Sequence, residues 1–147
     1  MNISVELLKD HELLLAYHLA AGYETFEYYP DFKCWRAELK LGEMRLTAVS
    51  IIRDIGSSFH NQIYKREMSE QQILKEMRSE NIALRWDNNK NFELYYPAFP
   101  EITASHPFLP TAFMKVVVKK QLGDFLDAAT IGLMNLEKTR TTKGSPI

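Results

Sequence analysis

The residues whose types and spacing best suit chemistry are Arg53, His60 and Tyr64. At 100° per residue, their side chains fall within about 40° of one another on a predicted helix. The row runs beside a predicted apolar face, and it combines a permanent cation with an imidazole that titrates near neutral pH. An arginine–histidine row at the edge of a core indicates either a functional site or an ordinary polar rim.

The stretch Arg53–His60 reads RDIGSSFH. It resembles the short Arg–His motif of HEPN ribonucleases, all-helical proteins that are common in bacterial toxin and defence systems. The resemblance implies a dimer that cuts RNA without a metal ion, with Arg53 stabilising phosphate charge and His60 transferring a proton. This is our alternative hypothesis for the function. The interpretation that we favour is structural, with Arg53 in an ion pair and His60 at the rim of a helix.

Two further histidines, His11 and His18, lie in the middle of the apolar arc of the first predicted helix. Seven residues separate them by about 10.5 Å along the helix axis, which is too far for both to bind one metal ion without a third element. Helical metal-binding spacings such as H-x-x-x-H are also missing. We therefore expect two buried neutral imidazoles, each with a hydrogen-bond partner, and neither a metal site nor a cofactor.

A third group of residues combines aromatic rings with carboxylates in two stretches of the chain. Aromatic side chains have few rotamers and are enriched at protein interfaces, and carboxylates favour a basic protein over nucleic acid as the partner. The sequence predicts a binding surface for a basic protein, and filling of an irregular core is an equally good interpretation. The predicted binding residues are Tyr23, Glu24, Glu27, Tyr28, Tyr29, Tyr95, Tyr96 and Phe99.

Hydrophobic patterning in the first half of the chain predicts the elements that would hold these groups. Ile3–Ala21 is predicted to be a helix, Tyr23–Pro30 an aromatic–acidic linker, and Phe32–Leu41 a strand. Glu43–Arg66 carries an apolar stripe about 120° wide, which favours a helix. The alternative is a strand over Met44–Ile52 that follows a hairpin loop.

The second half has a helix that begins at Ser69 and a hairpin formed by residues 82–96. The proline-rich stretch Pro97–Pro110 is predicted to be an extended connection without regular pairing. Ala112–Lys119 alternates and is rich in valine, which favours a strand. Gln121–Lys138 is then predicted to be an amphipathic helix, with Phe125 among its core anchors.

Composition limits the kind of protein that this can be. The chain has 147 residues, of which 46% are hydrophobic and 25% charged, as in an ordinary globular domain. A net charge of −1 disfavours a domain-wide nucleic-acid surface, and Cys34 as the only cysteine excludes an intrachain disulfide. No signal peptide and no membrane span is evident, so we expect a soluble cytoplasmic protein. Residues 1–138 are predicted to form one domain and residues 139–147 a flexible basic tail.

These observations predict an α+β fold that is helix-rich, with three or four amphipathic helices packed on a small antiparallel sheet. For function they favour a non-enzymatic protein-binding module, of the size of bacterial inhibitors, immunity proteins or antitoxins. The missing catalytic motifs and the aromatic–acidic residues support that choice, whereas no motif identifies the class.

Overall fold

The computed structural model describes residues 2–41, 45–53, 70–127 and 129–130 of the chain. Within these ranges lie the α-helices α1 (Asp10–Ala20), α2 (Glu70–Glu80) and α3 (Leu109–Leu122), and a 3₁₀ turn at Val5–Leu7. The strands are β1 (Ile3–Ser4), β2 (Glu24–Tyr29), β3 (Cys34–Leu41), β4 (Arg45–Arg53), β5 (Ala83–Trp86), β6 (Phe92–Tyr96), β7 (Phe99–His106) and β8 (Phe125–Leu126).

The strands form three small antiparallel sheets. β2, β3 and β4 make one sheet in that order, and β5, β6 and β7 make the second. The short strands β1 and β8 pair with each other and so join the two ends of the described chain. The predicted helix-rich fold on a single small sheet is therefore wrong: the described residues hold eight strands beside three α-helices, and the protein is a mixed α+β protein.

Helix α3 lies between two hydrophobic clusters. Met114 and Val118 pack with α1 and the β2–β3–β4 sheet, whereas Phe113 and Val116 pack with α2 and the β5–β6–β7 sheet. Because the helix is covered on both sides, apolar residues occupy nine of its 14 positions and are not confined to one stripe, so the 3.6-residue period disappears from the sequence. The predicted strand over Ala112–Lys119 is wrong for this reason, since tertiary burial overrides the β-propensity of its valines.

The predicted helix over Glu43–Arg66 is wrong where the structure describes it, and the alternative strand is confirmed. β4 pairs with β3 along its length, including Ile52 opposite Trp35. Ser50 and Ile52 are buried on one face, while Val49 on the other face is largely exposed. The β-branched residues of this stretch suit a pleated sheet as well as they suit a helical stripe, so the apolar pattern did not separate the two.

Two segments that were predicted to be irregular are strands. Tyr23–Pro30 contains β2, which pairs with β3, and Pro97–Pro110 contains β7, which pairs with β6. Prolines are tolerated at strand ends and edges, and Pro100 lies near the start of the edge strand β7, where the register with β6 shifts. Aromatic and β-branched residues in both segments favour strands, and strand pairing tolerates the charged residues and the prolines that accompany them.

The predictions for the two termini need correction as well. The first helix begins at Asp10 rather than Ile3, because Ile3–Ser4 pairs with β8. α3 ends at Leu122 before Gly123, whose φ of +94° lies in the left-handed region that favours glycine. Phe125 follows in β8 with 59% of its surface exposed, so its prediction as a helical core anchor is wrong. Residues 131–147 lie outside the described ranges, so the domain boundary at 138 and the tail stay predictions.

Three predicted elements are confirmed: the strand over Phe32–Leu41, the helix that follows Ser69, and the hairpin of residues 82–96. The Asp87 carboxylate holds the hairpin turn by accepting hydrogen bonds at 2.8 Å from the backbone N–H groups of Asn89 and Asn91. The sequence alone predicts these three elements, because each combines a clear hydrophobic period with a strong turn or capping signal.

Candidate functional site

A cleft with a volume of 440 Å³ opens where the three α-helices meet. This size suits a small molecule or one inserted side chain. Its wall contains residues from all three helices and from the turn after α1, and among the residues that the structure describes it includes no lysine, arginine or histidine. The lining residues are Tyr17, Ala20, Ala21, Glu76, Ser79, Glu80, Phe113, Val117 and Gln121.

Two carboxylates from α2 give the cleft its charge. Glu76 and Glu80 are four residues apart, so they lie on the same side of the helix, one turn from each other. Ile73 and Met77 bury one side of α2 against the β5–β6–β7 sheet, and Glu76 and Glu80 lie along one edge of that buried side, within about 60° of Ile73, where both line the cleft. Like charges at this spacing destabilise a helix by about 0.2–0.5 kcal/mol. Neither carboxylate forms an ion pair within the part of the chain that the structure describes.

Glu76 does have one hydrogen-bond partner, because the Gln72 side-chain amide donates to it at 3.3 Å. That partly buried bond comes from one turn earlier on α2 and helps to orient the Glu76 carboxylate. Glu76 is half-buried and Glu80 is exposed, so the two carboxylates lie at different depths in the cleft. A cation that enters the cleft would therefore meet negative charge both at the mouth and farther inside.

Apolar and aromatic side chains form the opposite wall. The rings of Tyr17 in α1 and Phe113 in α3 contact each other with centroids 5.9 Å apart and planes tilted by 59°. Phe113 is buried in the second cluster, and Val117 continues the same side of α3 one turn later. Aromatic faces attract cations, and aliphatic side chains cover methylene groups. This wall can therefore contact the stem of a long cationic side chain.

The phenols of Tyr17 and Tyr96 share the electrostatic surroundings of the cleft. Burial raises the pKa of Tyr17, and the charges of Glu76 and Glu80 raise it further. Burial and the charge of Glu80 raise the pKa of Tyr96 to about 12. Tyr96 does not line the cleft, but its hydroxyl is buried without a hydrogen-bond partner among the described residues. Both phenols are thus neutral groups held next to negative charge, where a cation would be favourable.

The structure does not bring the predicted binding residues onto one surface. Tyr28 and Tyr29 lie on β2 and are buried, and Tyr28 packs on Trp35 with ring centroids 4.8 Å apart. Tyr96 is buried in the other sheet, with the Lys120 ammonium 4.9 Å from its ring centroid. The three tyrosines are therefore buried in this structure, and their role as binding anchors stays a prediction.

The remaining predicted binding residues are more accessible but are divided between the two sheets. Glu24 is exposed and Glu27 half-buried on β2, where Glu27 accepts a hydrogen bond from the Tyr29 hydroxyl at 3.1 Å. Tyr23 is half-buried and contacts the ring of His18. In the other sheet, Tyr95 lies under the Arg85 guanidinium and Phe99 is 49% exposed. A partner that contacts all of these residues stays a prediction.

The structure describes only one residue of the predicted row of Arg53, His60 and Tyr64. Arg53 is the last residue of β4, so the helical spacing that aligned it with the other two does not apply at that residue. His60 and Tyr64 lie outside the described residues. No observation in the described ranges favours the ribonuclease hypothesis.

His18 is buried, as predicted, and links α1 to the sheet. Its Nδ1 lies 2.8 Å from the Leu14 carbonyl oxygen, which can only accept, so Nδ1 carries the proton. Nε2 then accepts a hydrogen bond from the Ser50 hydroxyl, also at 2.8 Å, across to β4. This is a hydroxyl–imidazole pair with a third orienting group, but its two side chains are buried, and its role is to join the helix to the sheet. The His11 side chain lies outside what the structure describes.

Comparisons with known proteins give no further guidance: the chain matches no protein-family model, no curated protein and no solved structure. Among the described residues, no group of three or more histidine, cysteine, aspartate and glutamate side chains is arranged to hold a metal ion. Within the same ranges, no helix is long and apolar enough to cross a membrane.

The cleft is not among the sites that the sequence predicts, although the sequence contains part of the pattern that forms it. The spacing of Glu76 and Glu80 on a correctly predicted helix already placed both carboxylates on one side. Tyr17 was likewise on a predicted helix. The opposite wall of the cleft could not be predicted, because the sequence pattern around Phe113 and Val117 favours a strand, whereas both residues lie on α3.

Proposed function

We propose that this protein is a non-enzymatic binding module whose partner is a basic protein, and that the cleft between α1, α2 and α3 is its contact site. The observation that carries the proposal is the composition of the cleft: two carboxylates without ion pairs among the described residues face an aromatic and aliphatic wall that contains no cation. The proposed partner is the basic protein that the sequence predicts, but the proposed contact site lies on the helices instead of the strands.

The burial of the surrounding groups supports a binding role. Ile73 and Met77 pack α2 on the core, and Phe113 is almost completely buried next to the cleft. The carboxylates are therefore presented from an ordered surface, which lowers the entropy lost when a partner binds. Partly exposed charges on such a surface also steer an oppositely charged protein and raise the association rate. Membership of the inhibitor, immunity or antitoxin class stays a prediction, since no observation bears on it.

The test measures binding of a fluorescent peptide in which lysine, arginine and glycine alternate, by fluorescence anisotropy over a range of salt concentrations. The paired variant Glu76→Gln/Glu80→Gln should weaken binding by about tenfold or more at low salt, since tenfold corresponds to about 1.4 kcal/mol. The salt dependence of the remaining binding should also be shallower, because two charges fewer attract the peptide.

A matched control comes from β2. Glu24→Gln/Glu27→Gln removes the same number of charges from the surface that the sequence predicted, so it keeps the net charge equal to that of the cleft variant. Binding that survives this control but not the cleft variant supports the proposal. Equal losses in the two variants would show a non-specific effect of net charge, and a larger loss in the β2 variant would move the contact to the strands. Either result would overturn the proposed site.

A further inference from the structure

The chemistry of the cleft is specific enough to suggest which side chain of a partner it takes. The two carboxylates are one helical turn apart on α2, with Cβ atoms about 5–6 Å from each other. A compact ammonium group with three donors can reach two carboxylates at once, whereas a planar guanidinium pairs best with one carboxylate in a bidentate manner. The spacing of Glu76 and Glu80 therefore favours an ammonium.

The depth of the cleft favours an ammonium on an alkyl chain. Ala20 and Ala21 at the end of α1, together with Val117 on α3, line the cleft with small aliphatic surface. The four-carbon stem of a lysine side chain can cover such a surface while its ammonium stays in contact with polar groups. Glu76 is half-buried, so the charged end would meet it only after the stem had entered.

Neutral oxygens are available for the third donor of an ammonium. Tyr17 lines the cleft itself, and Ser79, one residue before Glu80 on α2, lines it as well.

We infer that the cleft receives one lysine side chain of the partner, with its methylene stem against Ala20 and Val117 and its ammonium between Glu76 and Glu80. This inference rests on the proposed function and adds the identity of the inserted group. Lys120 on α3 lies over the ring of Tyr96 and does not line the cleft, so it leaves the position open.

The test uses single-residue probes and two-dimensional NMR of the isotope-labelled full chain. The probes are Nα-acetyl-lysine N-methylamide, its Nε-acetylated form and the corresponding arginine derivative, each titrated to millimolar concentration. The lysine derivative should shift the resonances of Ala20, Ala21 and Val117. Acetylation should weaken its binding by about tenfold or more, because it removes the charge. The arginine derivative should bind about threefold or more weakly, because its planar group cannot contact both carboxylates equally.

Two controls make each outcome decisive. Glu76→Gln/Glu80→Gln should abolish the shifts, and Glu24→Gln/Glu27→Gln should leave them unchanged in a protein with the same net charge. Equal binding of the lysine and arginine derivatives, or no shift at the cleft, would overturn the lysine assignment even if the basic peptide still binds through Glu76 and Glu80. Selective binding of the lysine derivative without any binding of the basic peptide would support the lysine site and instead overturn the proposed protein-binding function.

Discussion

Phe113→Ala should be among the most destabilising single substitutions in this protein. Phe113 is 1% exposed on α3, packs in the cluster that joins α2 to the β5–β6–β7 sheet, and contacts the ring of Tyr17. Removal of a buried phenylalanine ring costs about 3–5 kcal/mol, depending on how well the surroundings fill the space. We expect a value of about 3 kcal/mol, because the ring borders the cleft and the new space can fill with water.

Urea denaturation followed by circular dichroism measures this cost, and the matched control is Phe125→Ala. Phe125 is the same residue type but is 59% exposed on β8, so its replacement should cost less than about 1 kcal/mol. In thermal denaturation, Phe113→Ala should lower the melting temperature by roughly 10 °C, at a few degrees per kcal/mol for a chain of this length.

The comparison has a clear refuting result. If Gln121–Lys138 were the amphipathic helix that the periodicity of the sequence indicates, Phe125 would anchor it, and its removal would be the costly change. A larger loss for Phe125→Ala than for Phe113→Ala would therefore refute the placement of α3 between the two clusters. Equal losses would refute the buried position assigned to Phe113.

Two further predictions concern the ion pairs and the thiol. Burial alone would raise the pKa of Glu6, but hydrogen bonds and charge from Lys119 and Lys115 outweigh it and lower that pKa below its ordinary value. The stability from this carboxylate is present above its unfolded pKa and is lost as the pH falls. In thermal melts from pH 7 to pH 3, wild type should therefore lose more stability than Glu6→Gln, by about 1 kcal/mol or less at this partly exposed site. Equal losses in the two proteins would contradict the assignment. The Cys34 thiol is buried and should react with an aromatic disulfide reagent far more slowly in buffer than in urea, and similar rates would contradict its burial in β3.

The sequence by itself determined the elements that have a clear hydrophobic period or a strong turn signal of their own. The strand Cys34–Leu41, the helix Glu70–Glu80 and the hairpin around Asp87 each carry their own signal, and the spacing of Glu76 and Glu80 already placed two carboxylates on one side of a helix. Burial of His18 also followed from apolar neighbours in the sequence. Contacts within a few residues are sufficient for such predictions, because the physical cause is itself local.

The tertiary structure decided the elements that are covered on more than one side or paired with distant strands. α3 is buried against two clusters, so its residues show no amphipathic period, and its valines favoured the wrong element. β2 and β7 exist because neighbouring strands pair with them, although their charged residues and prolines indicated loops. The candidate site depends on these same elements, since Tyr17 and Phe113 are 96 positions apart in the sequence and contact each other only after α1 and α3 have packed. Two carboxylates were visible in the sequence, but the cleft that they face is a product of helix packing.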